Sequence, residues 1–264
     1  MCGAGETSRN NVAPASGHRM PCIRIVEVLP TPADLFHAAA VEFVRVGRAA
    51  IAKHGRFTVA LSGGSTPRGL YSLLAKDHAD FPWSKTFLFF SDERHVPPDH
   101  PDSNYRMVNQ AMLSKVPVPA GNMYRVLAEN PDASAAAADY EEKLRGFFKL
   151  RPGEFPRFDL ILLGLGPDGH TASLFPGSEG LKEQSRLVIA NWVEKFKTHR
   201  ITFTFPVLNH ATDVMFLTAG ADKADMVKQV LEGTNTPPFP AQQIDPQGRL
   251  IWMLDETAAA KLSP

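Results

Sequence analysis

The sequence predicts an α/β protein in three layers, a modified doubly wound and mostly parallel sheet between two layers of helices. Three observations lead there. Short runs at residues 57–61 (FTVAL), 86–90 (TFLFF) and 158–163 (FDLILL) are apolar at almost every position, as strands buried on both faces are. Helix-like segments alternate with these runs. The chain has 264 residues, 44% apolar and 21% charged, the balance of an ordinary globular protein. At this length roughly 70–75% of the unfolded surface can be buried, so no disulfide or metal staple is required.

The elements follow in order. Residues 1–22 are rich in Gly, Ser, Asn and Ala and have no apolar stretch, so they read as a disordered leader and not as a secretory signal. Residues 23–264 read as one α/β domain. Thr31 can cap a helix, Pro32 suits its first turn and Gly55 its left-handed end, which predicts a helix over 33–54. Residues 57–61 form a buried strand. Ser62, Gly63, Gly64 and Ser65 make a tight turn, and Thr66-Pro67 opens a helix reaching Lys76. Residues 86–90 form a second strand, ending at Ser91-Asp92-Glu93-Arg94. Residues 103–114 read as a helix and 132–150 as a long amphipathic one. The third buried strand, 158–163, stops at Gly164. Further strands are expected at 187–191, 200–205, 214–218 and 250–254, with a helix over 222–232. The proline-rich stretch 237–246 reads as a packed loop, and no internal repeat is present.

Composition excludes several classes. Lys plus Arg total 28 and Asp plus Glu total 28, so a general nucleic-acid binder, which needs a basic excess, is not expected. Two cysteines, Cys2 and Cys22, make neither a disulfide framework nor a zinc site and fit a reducing compartment. No apolar run approaches the roughly 20 residues of a membrane helix. The expectation is a cytoplasmic protein, monomeric or a weak homodimer, with no metal and no cofactor.

Ligands of such sheets bind beyond the carboxyl ends of the strands, so the polar residues there carry the functional reading. The turn Ser62-Gly63-Gly64-Ser65 precedes a helix start with free N–H groups, a combination suited to an anion such as phosphate. It lacks the GK[ST] ending of a nucleoside-triphosphate loop. Neither Ser62 nor Ser65 stands in a G-x-S-x-G elbow, which argues against a serine nucleophile. Gly164-Leu-Gly166-Pro-Asp168-Gly169 formally matches G-x-G-x-x-G, the dinucleotide fingerprint. Pro167 removes an N–H at the turn, Pro176-Gly177 would cut the required helix short, and no acid follows at the end of the next strand. NAD is therefore disfavoured.

Asp168 and His170 stand two apart among glycines at a strand end. A neutral histidine there can act as a general base, with the carboxylate fixing its tautomer, or it can simply cap a following helix. Asp92, Glu93 and Arg94 follow another strand, where a charge run is either a solvated loop or part of a site. Asp102-Ser103-Asn104 can cap the next helix. Arg200 precedes a strand, and Lys223 sits at a helix start, where a cation opposes the helix dipole unless it meets an anion.

Taken together, LSGGSTP (61–67), SDERHVPP (91–98) with SNY (103–105), and GLGPDGHTASLFP (164–176) resemble the 6-phosphogluconolactonases of the glucosamine-6-phosphate isomerase/6-phosphogluconolactonase family. RITFTFPVL (200–208) and the segment 220–223 fit the same pattern, so the resemblance covers about residues 25–260. The resemblance implies the modified doubly wound fold shared with the isomerases. It also implies hydrolysis of 6-phospho-D-glucono-1,5-lactone to 6-phosphogluconate, in the oxidative pentose phosphate pathway, without metal or nucleotide. In the isomerases an acid stands just before the motif's proline and the second motif reads DEY. Here Phe175 and Arg94 occupy those places, which favours hydrolysis over proton transfer between sugar carbons. The expected roles follow. His170 would be the base, Asp168 would orient it, and Arg94 would meet the oxyanion or the phosphate. Ser62, Gly63, Gly64, Ser65, Asp92, Arg200 and Lys223 would bind the substrate, with the phosphate on the glycine-loop N–H groups. A non-catalytic sugar-phosphate sensor and an isomerase/deaminase are the competing readings.

Overall fold

The computed structural model describes residues 22–263, and the leader expected over residues 1–22 lies outside them except for Cys22. The described chain opens with an element that the sequence pattern did not predict, β1 (Ile23–Leu29). Its residues are exposed or half-exposed on both faces, and it forms an edge of the sheet, where charges at Arg24 and Glu27 are tolerated. Helix α1 (Pro32–His54) has the expected ends. The Thr31 hydroxyl accepts from the Asp34 N–H, and Gly55 adopts φ 83°.

Strand β2 (Phe57–Leu61) is buried throughout and leads into α2 (Ser65–Asp77). Strand β3 (Thr86–Phe90) follows, and then β4 (Asp92–Arg94), α3 (Asn104–Ala111) and α4 (Ala133–Phe148). Ser103 caps α3 by accepting from the Arg106 N–H, and Asp132 caps α4. The helix expected over 103–114 ends at Ala111 and gives way to a separate 3-10 turn at Leu113–Lys115. Strand β5 (Leu160–Leu163) is followed by turns and not by a helix. Strands β6 (Val188–Val193) and β7 (Thr198–Phe203), helix α5 (Phe205–His210), β8 (Asp213–Thr218), α6 (Ala224–Glu232), β9 (Arg249–Asp255) and α7 (Glu256–Ala259) complete the order.

Six strands form one parallel sheet in the order β1-β9-β8-β5-β2-β3. Two predicted strands do not join it. β6 and β7 pair antiparallel with each other, and β4 pairs with β7, making a separate three-stranded sheet. The reason is the connection. Only the short turn Glu194–Phe196, closed by Lys197 at φ 49°, separates β6 from β7, whereas a parallel pair needs a crossover of a dozen or more residues.

Successive residues of the central strands feed opposite cores. Leu160 and Leu162 of β5 pack with Leu35, Phe43, Tyr71 and Val108 from α1, α2 and α3. Ile161 and Leu163 pack with Tyr140, Leu144 and Val227 from α4 and α6. This period-two partition is what sandwiching a sheet between two helical layers requires.

The strand order also locates a crevice. From β2 the chain moves outward to β3, then returns to β5 and proceeds the other way through β8 to β9. The connections after β2 and β5 therefore diverge, and such a switch point leaves an opening at the carboxyl edge.

Candidate active site

The opening is occupied by a cleft of about 250 Å³, close to the lower end of the roughly 300–1,000 Å³ usual for small-molecule sites. It is lined by Ser62, Gly63, Gly64 and Ser65 after β2, by Asp92 and Arg94 of β4, by Gly166 and His170 after β5, and by Lys223 after β8. Residues separated by up to 161 positions thus meet in one place.

The supports of these loops are buried tyrosines. The Tyr71 hydroxyl accepts from the Ser62 N–H at 3.0 Å and donates to the Ser62 carbonyl at 2.9 Å, pinning the start of the glycine loop. The Tyr140 hydroxyl does the same at the end of β3, accepting from Phe90 N–H at 2.8 Å. Burial pushes both phenols well above their ordinary range, so both remain neutral donors. Gly64 adopts φ 110° at the N-terminus of α2, a backbone state that side chains disfavour.

Below Arg94 lies Glu93, buried and accepting from the N–H groups of Arg94, Asn104 and Tyr105 and from the Ser103 hydroxyl. Burial raises its pKa, and the three backbone donors offset only part of that rise. Glu93 therefore locks β4 to the start of α3. Asp92 is equally committed, accepting from the Ser173 hydroxyl at 2.7 Å and from Asn104 Nδ2 at 3.3 Å. It lines the cleft with both carboxylate oxygens already engaged.

His170 is held on three sides. Its Nδ1 is hydrogen-bonded to Asp168 Oδ1. The Phe175 ring stacks on it, with centroids 4.1 Å apart and planes at 26°. Gly166 abuts the imidazole so closely that a Cβ there would overlap Nδ1 and Cε1. His170 caps no helix, because turns follow it, and its backbone N–H donates to Asp168 Oδ1 at 3.4 Å. Asp168 lies behind His170 and borders a neighbouring 430 Å³ cavity instead of the cleft. The hydrogen bond with His170 outweighs its partial burial and holds its carboxyl down to about 2. Lys195 Nζ stands 3.7 Å from its other oxygen.

Arg94 Nη1 donates to the Asp102 carbonyl at 2.7 Å. In the antiparallel register Arg94 faces Arg200. Arg200 does not line the cleft. Its guanidinium lies over the Phe196 ring at 5.2 Å, and burial followed by the charge of Arg94 lowers its pKa. Of the residues expected to bind the substrate, Arg200 stands beside Arg94 on the paired strand and is not among those lining the cleft. Lys223 Nζ is 3.5 Å from the exposed Asp222 and lies at the cleft.

Sequence reasoning missed two features of this site. Asn104 stands in a cap-like segment and in the SNY motif, with no role of its own assigned by the sequence, yet its side chain lines the cleft and fills the space beside Gly63. Phe175 was noted for what it replaces, while its stacking on His170 depends on contacts that no local pattern shows. A larger cavity, about 780 Å³, lies at the opposite, amino edge of the sheet. Its charged walls are largely tied together, His54 to Asp159 and Arg249 to Asp213, so it has a structural explanation. Among the described residues, no group of three or more His, Cys, Asp and Glu side chains is arranged to hold a metal ion, and no helix is long and apolar enough to cross a membrane.

A parallel α/β sheet with a glycine loop, a carboxylate-bound histidine and the cations Arg94 and Lys223 at its switch point has the features that suit a small anionic ligand. The chain belongs to the glucosamine-6-phosphate isomerases/6-phosphogluconolactonase family, whose pattern matches residues 30–252. A 6-phosphogluconolactonase from Nostoc sp. is 44% identical over 241 residues, covering 91% of this chain and 99% of the relative. One from Synechocystis sp. is 45% identical over 216 residues, covering 81% and 88%. The solved structure of 6-phosphogluconolactonase from Trypanosoma cruzi superposes with a TM-score of 0.83 at 31% identity, covering 94% of this chain and all of that one.

Proposed function

We propose that the chain is a lactonase that hydrolyses 6-phospho-D-glucono-1,5-lactone to 6-phospho-D-gluconate. The observation that carries this reading is the presence of His170, tied through Nδ1 to Asp168, in the same cleft as the glycine loop and Lys223. The named relatives act on this lactone class, which supports the same substrate here.

With Nδ1 engaged by Asp168, Nε2 of neutral His170 is the basic nitrogen. It takes a proton from water as the water oxygen bonds to C1 of the lactone. The resulting tetrahedral intermediate carries negative charge on the former carbonyl oxygen, and Arg94 offsets that charge. Collapse re-forms the carbonyl and breaks the bond from C1 to the ring oxygen, which recovers the proton from His170. Asp168 stabilises the imidazolium formed between the two steps. No covalent enzyme intermediate and no metal enters this scheme.

The phosphate end is held by backbone N–H groups of Gly63, Gly64 and Ser65 at the start of α2, with Lys223 supplying charge. Arg200, beside Arg94 on the paired strand, adds to the positive potential at the cleft. Phe175 favours hydrolysis over isomerisation, because the position beside His170 is filled by an apolar ring and not by a second acid–base group.

The test is hydrolysis of freshly prepared lactone measured against an enzyme-free blank. The wild-type chain accelerates the reaction, and His170→Ala loses at least about 100-fold in kcat, the range of a positioned general base. Near-normal turnover in that variant removes His170 from the mechanism. Binding without acceleration by the wild-type chain would instead identify a sensor.

A further inference from the structure

Three buried side-chain polar atoms lack a protein hydrogen-bond partner among the described residues: Ser62 Oγ, Thr218 Oγ1 and Asn235 Oδ1. Two of these residues, Ser62 and Thr218, line the cleft. Ser62 already belongs to the glycine loop. Thr218 has no role in the scheme above, yet it is only 2% exposed. A buried hydroxyl left unpaired destabilises the fold, and valine would occupy the same volume without that cost.

Placement identifies what the hydroxyl serves. Thr218 is the last residue of β8, and Lys223 follows in the same short connection to α6. The pairing of β8 with β5 runs to Leu163–Phe216, so Thr218 lies two residues past that pair, at the end where the loop carrying His170 leaves β5. Two residues beyond Thr218, the Gly220 N–H donates to Asp255 Oδ1 at 3.0 Å and the Gly220 carbonyl accepts from the Lys223 N–H at 3.0 Å, so the connection that carries Lys223 is anchored to the end of β9. We infer that Thr218 Oγ1 donates a hydrogen bond to the phosphoryl group gripped by Lys223 and is a specificity-determining residue for phosphorylated over unphosphorylated lactones. This rests on the proposed lactonase reading for its substrate and extends it to a residue that reading leaves without a function.

The test compares wild type, Thr218→Val and Thr218→Ser in steady-state hydrolysis of 6-phosphogluconolactone and of unphosphorylated glucono-1,5-lactone, with thermal melting in the absence and presence of inorganic phosphate. For Thr218→Val, KM for the phosphorylated lactone rises about tenfold, equal to about 1.4 kcal/mol, while kcat changes less than about twofold and activity on the unphosphorylated lactone is retained. Its ligand-free Tm equals or exceeds that of wild type, and the Tm gain from phosphate shrinks. Thr218→Ser restores both KM and the phosphate response. An unchanged KM, an equal loss on both lactones, or a lowered ligand-free Tm each overturns the inference, the last by revealing a structural role. If the wild-type chain hydrolyses neither lactone, the lactonase reading falls and the phosphate-dependent Tm still decides. A wild-type gain absent from Thr218→Val and restored in Thr218→Ser upholds the contact, and any other pattern refutes it.

Discussion

Replacing Asp168 by asparagine isolates what the carboxylate contributes to His170. The side chain's pKa lies at about 2 against an ordinary 3.8, and the hydrogen bond with His170 is the largest cause. That difference corresponds to about 2.4 kcal/mol, at 1.36 kcal/mol per tenfold. The side chain is 32% exposed, so solvent screening roughly halves the figure, to about 1.2 kcal/mol. If the interaction is retained when the imidazole becomes charged, its loss slows turnover by about eightfold after screening and by about 60-fold without it. Asparagine has a second effect. Its amide can donate to Nδ1, which moves the ring proton to Nε2, where a base must be empty. The expected loss in kcat is therefore at least about tenfold, with KM changed by less than about threefold. The assay is steady-state hydrolysis of freshly prepared 6-phosphogluconolactone near neutral pH, corrected for spontaneous hydrolysis. A kcat within about twofold of wild type would refute the assignment of Asp168 as the group that orients the base.

Further expectations concern neighbouring groups. Glu93→Gln turns one acceptor into a donor facing backbone N–H groups, so at least one of four hydrogen bonds is lost; a cost of about 1–3 kcal/mol lowers Tm by about 3–10 °C, and a Tm within about 1 °C of wild type contradicts this. Gly166→Ala places a methyl against the His170 ring and should lower kcat by about tenfold or more in a protein that retains its circular dichroism spectrum; full activity would show that the imidazole has room to shift. Lys223→Ala should raise KM about tenfold or more with a smaller change in kcat, because a phosphate contact is shared by ground and transition states; a loss confined to kcat would move Lys223 away from the phosphate. Asp168 and Glu183 are both held at about 2, below their ordinary 3.8 and 4.5, by hydrogen bonds with His170 and with the Ser185 backbone respectively. In this window the unfolded chain binds more protons, so the stabilisation is complete above about pH 4.5 and is lost as pH falls towards 2. The Tm gap between wild type and Asp168→Asn should close over that interval, and a gap that stays constant down to pH 2 would be inconsistent with the depressed carboxyl.

Much of the fold was legible because the relevant forces are local. Thr31, Pro32 and Gly55 mark the ends of α1 through a side-chain cap, a preset φ and a left-handed turn, all acting within a few residues. The runs that became β2, β3 and β5 announce burial on both faces by lacking alternation. β1 escaped notice because it is an edge strand, and Arg24 and Glu27 interrupt its apolar pattern where solvent permits them. The antiparallel pairing of β6 with β7 was also hidden, since a strand's own residues do not name its partner.

In the site, chemistry was readable and geometry was not. Glycines beside a strand end, a histidine two residues from an aspartate, and a lysine at a helix start were each visible in the sequence. The pairing of Arg200 with Arg94, the stacking of Phe175 on His170 and the unpaired Thr218 hydroxyl became visible only with coordinates.

By itself the sequence determined the buried central strands, the ends of α1 and the residue types able to bind an anion and accept a proton, because periodicity, capping and backbone restriction act over short stretches of chain. Only the tertiary structure decided that β5 lies between β2 and β8, and hence that Ser62, His170 and Lys223 share one cleft. That order arises from burying two apolar faces at once, a cooperative packing of residues more than a hundred positions apart, and no local segment encodes it.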